Sequence, residues 1–162
     1  MSNLLNTTPL PSRHAVRSVI EGLVGRDVQL NDCDLVPGKP SNLVAAYVTD
    51  NMQVVVAIVV DIECAARLGG ALGMLPKAGV EEAILELDMS GLLRDNCYEV
   101  LNVLAAVFNV ENAPHVRLYG LYGPLGGVPG DVLALTQVIG SRMDLRLDIA
   151  GYGEGHLAIV IR

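Results

Sequence analysis

The segment LLRDNCYEVLNVLAAVFN, residues 92–109, lies between two groups of predicted strands. Its apolar residues recur at helical spacing, so we expect an amphipathic helix. On a wheel of about 100° per residue, Asp95, Glu99 and Asn102 fall within about 60° of one another on one exposed strip. The opposite face, which we expect to be buried in the core, carries Leu93, Cys97, Leu101, Leu104 and Phe108.

Two interpretations of this polar strip are open. A polar helix face is usually only solvated, and E-x-x-N is short enough to occur by chance, so spacing alone favours solvation. The functional hypothesis is that the two carboxylates and the amide form a site that faces a partner; these residues are Asp95, Glu99 and Asn102.

The flanking segments predict the fold class. Ser12 caps a predicted N-terminal helix, a predicted hairpin turns at Asp50–Asn51, and Asp61 caps a helix rich in small residues. Ser90–Gly91 kinks or splits the helical pattern that starts near Val80. The predicted strands after residue 112 are HVRLYGLY, DVLALTQVI, RMDLRLDIA and HLAIVIR. This order predicts an α+β fold, with the helices packed on one face of a mostly antiparallel sheet.

Composition limits the possible partners. A chain of 162 residues predicts a single domain, with residues 1–11 as a loose lead-in. Because the net charge is −7 and no basic cluster occurs, neither nucleic acid nor an anionic membrane is an expected partner. The longest apolar run, VVVAIVV, is much shorter than the ~20 residues of a spanning helix. We find no signal-peptide pattern and expect a cytoplasmic protein.

Motifs of self-contained enzymes are missing from the sequence. GYGEGH has His156 where a dinucleotide-binding loop needs its third glycine, and CDLVPGKPS has Cys33 where a phosphate-binding loop needs glycine. Ser90 lacks the preceding glycine of a nucleophile elbow. The three cysteines form no C-x-x-C pair and predict buried thiols. No metal or cofactor of its own is expected for this chain.

The pattern Asp95-x-x-x-Glu99-x-x-Asn102, followed by Pro124, resembles the signature of the CheC/CheX/FliY phosphatases of bacterial chemotaxis. The element order resembles the family from Ser12 to the C-terminus, including the small-residue helix before the E-x-x-N helix. A single motif is typical of CheX-like members, whereas CheC-like members usually carry two.

The resemblance implies a protein substrate, the aspartyl phosphate of a CheY-like response regulator. The receiver domain would supply Mg²⁺ and a lysine. Asn102 would then orient the attacking water, Glu99 would pair with the receiver lysine, and Asp95 would support docking. Phosphoryl transfer depends mainly on positioning and charge stabilisation, which explains why the chain needs no nucleophile.

The sequence departs from the family pattern at Leu101, where a small residue is usual, and at Ala105 and Ala106, where a glycine often occurs. The spacing from Asn102 to Pro124 is also about one residue short of the usual pattern. These departures keep an alternative open, a non-catalytic receiver-binding or assembly module on the same fold.

The C-terminal segment HLAIVIR is apolar and has no proline or internal charge to guard an edge strand. It therefore predicts a homodimer. The resemblance implies the same, since single-motif relatives are dimeric.

Overall fold

The computed structural model describes residues 7–162, so residues 1–6 of the predicted lead-in lie outside the described residues. The described part of that lead-in forms no helix or strand, yet Thr8 and Pro11 are buried. The helices are α1 (Arg13–Val24), α2 (Ile62–Leu72), α3 (Lys77–Leu85), α4 (Gly91–Leu104) and α5 (Gly130–Thr136). A 3-10 turn, Ala105–Val107, continues α4. The strands are β1 (Val28–Asp32), β2 (Leu43–Thr49), β3 (Val54–Val60), β4 (Val116–Tyr122), β5 (Arg142–Ile149) and β6 (Gly153–Ile161).

All six strands form one antiparallel sheet in the order β1-β5-β6-β3-β2-β4. β1, the first strand before α4, lies at one edge of the sheet beside β5. β4, the first strand after α4, lies at the other edge beside β2. Strands that precede and follow α4 in the sequence are therefore intermixed within one sheet. β3 and β6 pair at the centre. The α+β fold class with an antiparallel sheet is confirmed.

Alternate residues of the strands pack into two cores on opposite faces of the sheet. On the first face, Leu43, Tyr47 and Ile58 join the apolar sides of α1, α2 and α4. On the second face, Val44 and Val59 pack against Val132 and Leu135 of α5. Most helices therefore share one face as expected, while the short helix α5 covers part of the other.

Two of the predicted strands need correction. DVLALTQVI is not a strand, because Gly130–Thr136 forms α5 and buries Val132 and Leu135 one helical turn apart. The C-terminal strand β6 is not an edge, because it lies between β3 and β5 and is buried along most of its length. The edges of the sheet are β1 and β4, so the reason given for dimer formation is wrong.

Local signals place the helices of the first face. Ser12 accepts a hydrogen bond from the Ala15 N–H, and Asp61 accepts one from the Cys64 N–H, as N-cap side chains do. The long helical pattern splits into α3 and α4, and both Leu87 and Gly91 adopt positive φ at the break. Among the helices of residues 7–162, none combines the length and apolar character needed to cross a bilayer.

Candidate functional site

The outer face of α4 carries the three residues singled out by the sequence. Asp95, Glu99 and Asn102 are all exposed, whereas the predicted core residues Cys97 and Leu101 are fully buried. The predicted orientation of the helix is therefore confirmed. Within residues 7–162, no hydrogen bond or ion pair engages the three exposed side chains. A carboxylate and an amide one turn apart are thus available to a partner.

The inner face of α4 is seated closely on α2. A Cβ added to Gly69 would lie 2.5 Å from the Leu93 carbonyl oxygen, so only glycine allows this approach. The Asn96 amide donates to the Gly69 carbonyl at 3.0 Å and ties the two helices together. Asn96 is therefore engaged inside the protein, whereas the Asn102 side chain has no hydrogen-bond partner within residues 7–162.

The N-terminal half of α4 is fixed to the end of β4 by Arg94. Its guanidinium donates to the carbonyl of Leu121 at 2.7 Å and to that of Gly123 at 2.6 Å. Pro124 follows Gly123 directly. The backbone directly before the proline of the sequence pattern is therefore hydrogen-bonded to the helix that carries the E-x-x-N residues.

Further polar contacts hold the C-terminal half of α4 and the segment that follows it. The Tyr47 hydroxyl of β2 donates to the Leu101 carbonyl at 2.6 Å. Beyond the helix, the Asn109 side chain accepts from the Val116 N–H at 2.8 Å and donates to the Val116 carbonyl at 2.9 Å. Arg94 and Tyr47 thus fix α4 against β4 and β2, and Asn109 fixes the segment after the helix to the start of β4.

Sequence reasoning missed these three anchoring residues. Tyr47 gave the only local signal, because a tyrosine within the apolar stretch LVAAYVT needs a partner for its hydroxyl when it is buried. Arg94 pairs with carbonyls 27 and 29 residues away, and Asn109 bonds across the turn to Val116, seven residues on. Periodicity carries no information on either contact.

The thiols near α4 are not suited to nucleophilic chemistry. Burial raises the pKa of Cys97 to about 12, so the thiol is uncharged at neutral pH. Burial, reinforced by Asp61, also raises the pKa of Cys64 well above its ordinary value. Both cysteines are buried as predicted, whereas Cys33 is only partly buried. The chemistry available on α4 is therefore that of the amide and the carboxylates.

A His–Asp pair elsewhere in the molecule was not expected from the sequence. His156 Nδ1 lies 3.0 Å from Asp61 Oδ2, and Asp61 Oδ1 accepts from the N–H groups of Cys64 and His156. The carboxylate thereby ties the start of α2 to β6. The pair borders a cavity of about 280 Å³ that also contains Cys33 and Asn42.

The cavities lie away from the E-x-x-N residues. A larger cavity, about 660 Å³, runs between the Leu35–Asn42 loop and α5 on the second face of the sheet and includes Val59 and Ile139. No residue of α4 lines either of these two cavities. The polar strip of α4 is an exposed helix face outside these two cavities, and such a face is suited to a macromolecular partner rather than to an enclosed small molecule.

Solved structures with a similar fold include FliM and the chemotaxis protein CheX. FliM in the FliM–SpeE complex from H. pylori matches with a TM-score of 0.61 and 10% identity, over 91% of this chain and 80% of that chain. CheX in the CheX–CheY–BeF3–Mg²⁺ complex from Borrelia burgdorferi matches with a TM-score of 0.51 and 12% identity, over 91% and 93%. CheX from Desulfovibrio desulfuricans matches with a TM-score of 0.50 and 11% identity, over 92% and 95%.

These likenesses confirm the fold expected from the resemblance to CheC, CheX and FliY. The identities are low, so the likeness is one of fold. No protein-family model matches the sequence, and no curated protein matches it. The chain has a fold shared by CheX and FliM.

Proposed function

We propose that this protein is a CheX-like phosphatase that hydrolyses the aspartyl phosphate of a CheY-like response regulator. The observation that carries the proposal is the exposure of Glu99 and Asn102 on one face of α4, with no internal partner within the described residues. The similar fold of a CheX solved in a complex with CheY supports the choice of a receiver domain as the partner.

The chemistry follows from what an amide and a carboxylate can do beside an anionic phosphoryl group. Asn102 donates and accepts hydrogen bonds without carrying charge, so it can orient a water for in-line attack. A carboxylate at that position would be repelled by the phosphoryl oxygens. The receiver supplies Mg²⁺ and a lysine that neutralise the developing charge, and this protein brings no cofactor of its own.

Glu99 has a docking role in this proposal. It lies one turn before Asn102 on the same exposed face, where its carboxylate can pair with the receiver lysine. Asp95 lies one turn further towards the N-terminus and adds negative charge that supports docking. The proposal places the reaction in the cytoplasm, with neither membrane nor nucleic acid as a partner.

Replacing Glu99 by Ala should weaken receiver binding by about 1–3 kcal/mol, because the variant cannot form the ion pair with the receiver lysine in the complex. The half-saturating receiver concentration should rise, while the maximal rate should change little. A titration of each variant against a phosphorylated receiver with Mg²⁺ measures both quantities. The matched control is Glu82→Ala, which removes an exposed glutamate from α3. Equal affinity of the Glu99 and Glu82 variants would contradict the docking role.

A non-catalytic receiver-binding or assembly module on the same fold is the second candidate. The observation that favours it is the TM-score of 0.61 with FliM in the FliM–SpeE complex, together with 0.51 for the FliG–FliM complex. Leu101, where a small residue is usual in the CheC/CheX/FliY signature, is fully buried and keeps this reading open. Phosphate release from a phosphorylated receiver separates the two candidates, since a binding module would not accelerate it.

We also propose that the protein is a homodimer. The support for this proposal is the resemblance to CheX-like proteins, since single-motif relatives are dimeric. Of the two edges of the sheet, β1 and β4, the ends of β4 already bond to Arg94 and Asn109. Light scattering at concentrations on the order of tens of micromolar should give twice the mass of the chain. A monomer mass under those conditions would contradict the proposal.

A further inference from the structure

The hydrogen bond from Tyr47 to the Leu101 carbonyl lies directly beside Asn102. The last four carbonyls of a helix have no partner within the helix, and in α4 the first of these belongs to Leu101. The Ala105 N–H donates to the carbonyls of Asn102 and Val103, and the 3-10 turn starts there. The Leu101 carbonyl instead accepts a hydrogen bond from the Tyr47 hydroxyl, at 2.6 Å.

This contact acts on the backbone of Asn102 itself. The Leu101 carbonyl and the Asn102 N–H belong to one planar peptide unit, so holding the carbonyl fixes the plane that leads into the Asn102 Cα. Asn102 lies in the final turn of α4, where its own carbonyl accepts from the Ala105 N–H of the 3-10 turn and has no α-helical partner four residues on. The orientation of the exposed amide therefore depends on a group beneath the helix.

Tyr47 is well suited to be a fixed donor. Its side chain is fully buried, and its ring packs edge-on against Phe108, with 5.5 Å between centroids and an interplanar angle of 65°. Because of this burial, the pKa of the Tyr47 hydroxyl is raised well above its ordinary value, and the proton stays on the oxygen at neutral pH. β2, which carries Tyr47, is paired on both sides with β3 and β4.

We infer that Tyr47 is a positioning residue that sets the orientation of Asn102 through the Leu101 carbonyl. The inference rests on the proposed phosphatase function, in which the Asn102 amide must hold a water in line with the phosphoryl group. Small displacements of such a group are costly, since a shift of about 1 Å can slow a positioned reaction roughly 10²-fold.

The test is Tyr47→Phe, which removes the hydroxyl and keeps the ring on Phe108. We expect the maximal rate of receiver dephosphorylation to fall roughly tenfold, with the half-saturating receiver concentration unchanged. The backbone and side-chain amide NMR signals of Asn102 should shift in the free protein. An unchanged maximal rate in an active parent background, or unmoved Asn102 signals, would overturn the inference.

The matched control is Tyr152→Phe. The Tyr152 hydroxyl also donates to a backbone carbonyl, that of Leu75 at 2.7 Å. Tyr152 is buried like Tyr47, but its hydrogen bond does not involve α4. This variant loses an equivalent hydrogen bond and should keep the parental maximal rate and Asn102 signals. A similar loss of rate in both variants would show general destabilisation and overturn the positioning role.

The two measurements separate this inference from the proposed function. If the parent does not accelerate dephosphorylation, the phosphatase proposal fails, while the NMR shifts still report whether Tyr47 orients Asn102. If the parent is active and Tyr47→Phe is equally active, only the positioning role fails.

Discussion

Replacing Asn102 by Ala is expected to slow the maximal rate of receiver dephosphorylation by roughly 10²-fold or more, because the attacking water loses the group that orients it. Binding should be nearly unchanged, since the exposed amide contributes little to docking. The Asn102 side chain makes no hydrogen bond within residues 7–162, so truncating it to Ala leaves no internal partner unsatisfied. The measurement is a titration of the variant against a phosphorylated receiver with Mg²⁺.

Asp95→Ala is the control on the same face of α4. It removes an exposed polar side chain two turns away and should reduce activity less than either Asn102→Ala or Glu99→Ala. The effect of Asn102→Ala should appear in the maximal rate and that of Glu99→Ala in the half-saturating concentration. Hydrolysis by Asn102→Ala at the parental rate would show that the water-orienting role is wrong.

Replacing Asp144 by Asn is expected to lower the free energy of unfolding by about 3–5 kcal/mol, because it leaves the charge of Arg142 buried without its partner. Arg142 binds Asp144 through two hydrogen bonds of 2.7 and 2.8 Å, and the side chains are only 7% and 9% exposed. Asp144 also accepts from the Val36 N–H at 3.0 Å and so fixes the loop after β1. Urea denaturation of parent and variant measures the difference.

The control for Asp144→Asn is Asp32→Asn. Asp32 pairs with Arg13 at 3.5 Å, but the Arg13 side chain is 50% exposed and the Asp32 side chain is 80% exposed. Such a surface pair contributes at most about 1 kcal/mol, so this variant should resemble the parent. An Asp144 variant as stable as the Asp32 variant would contradict the role assigned to the buried pair.

The same carboxylate predicts a dependence on pH. Burial raises the pKa of Asp144, but hydrogen bonds from Arg142 and from the Val36 N–H outweigh it, and the net pKa lies below the ordinary value of 3.8. A carboxylate with a lower pKa in the folded state stabilises the fold above its unfolded pKa. The stabilisation from the Asp144 carboxylate is lost as the pH falls below 3.8 and through the pKa of the folded state. Asp144→Asn should lack this part of the pH dependence of the unfolding free energy.

The sequence predicted the outward placement of the site because that placement depends on local periodicity. The apolar residues of α4 repeat every three or four positions, and this alone determines that Leu101 faces inward and Asn102 outward. The caps at Ser12 and Asp61 are local in the same way, and both formed as predicted.

The parts that were wrong depend on distant contacts. HLAIVIR carries no signal of whether a strand lies at an edge or in the centre, and only the pairing of β6 with β3 and β5 decides it. The segment DVLALTQVI is apolar enough for a strand, but packing of Val132 and Leu135 on the second face selects a helix. The anchoring of α4 by Tyr47 and Arg94 also comes from contacts far apart in sequence.

The most direct test of the central claim is the rate of phosphate release from a phosphorylated CheY-like receiver with Mg²⁺, measured with and without this protein. The proposal predicts that release accelerates with protein concentration, reaches a plateau, and is largely lost with Asn102→Ala. A receiver that binds the protein to saturation and still loses its phosphate at the uncatalysed rate would contradict the phosphatase proposal, and the binding module would then be the better account.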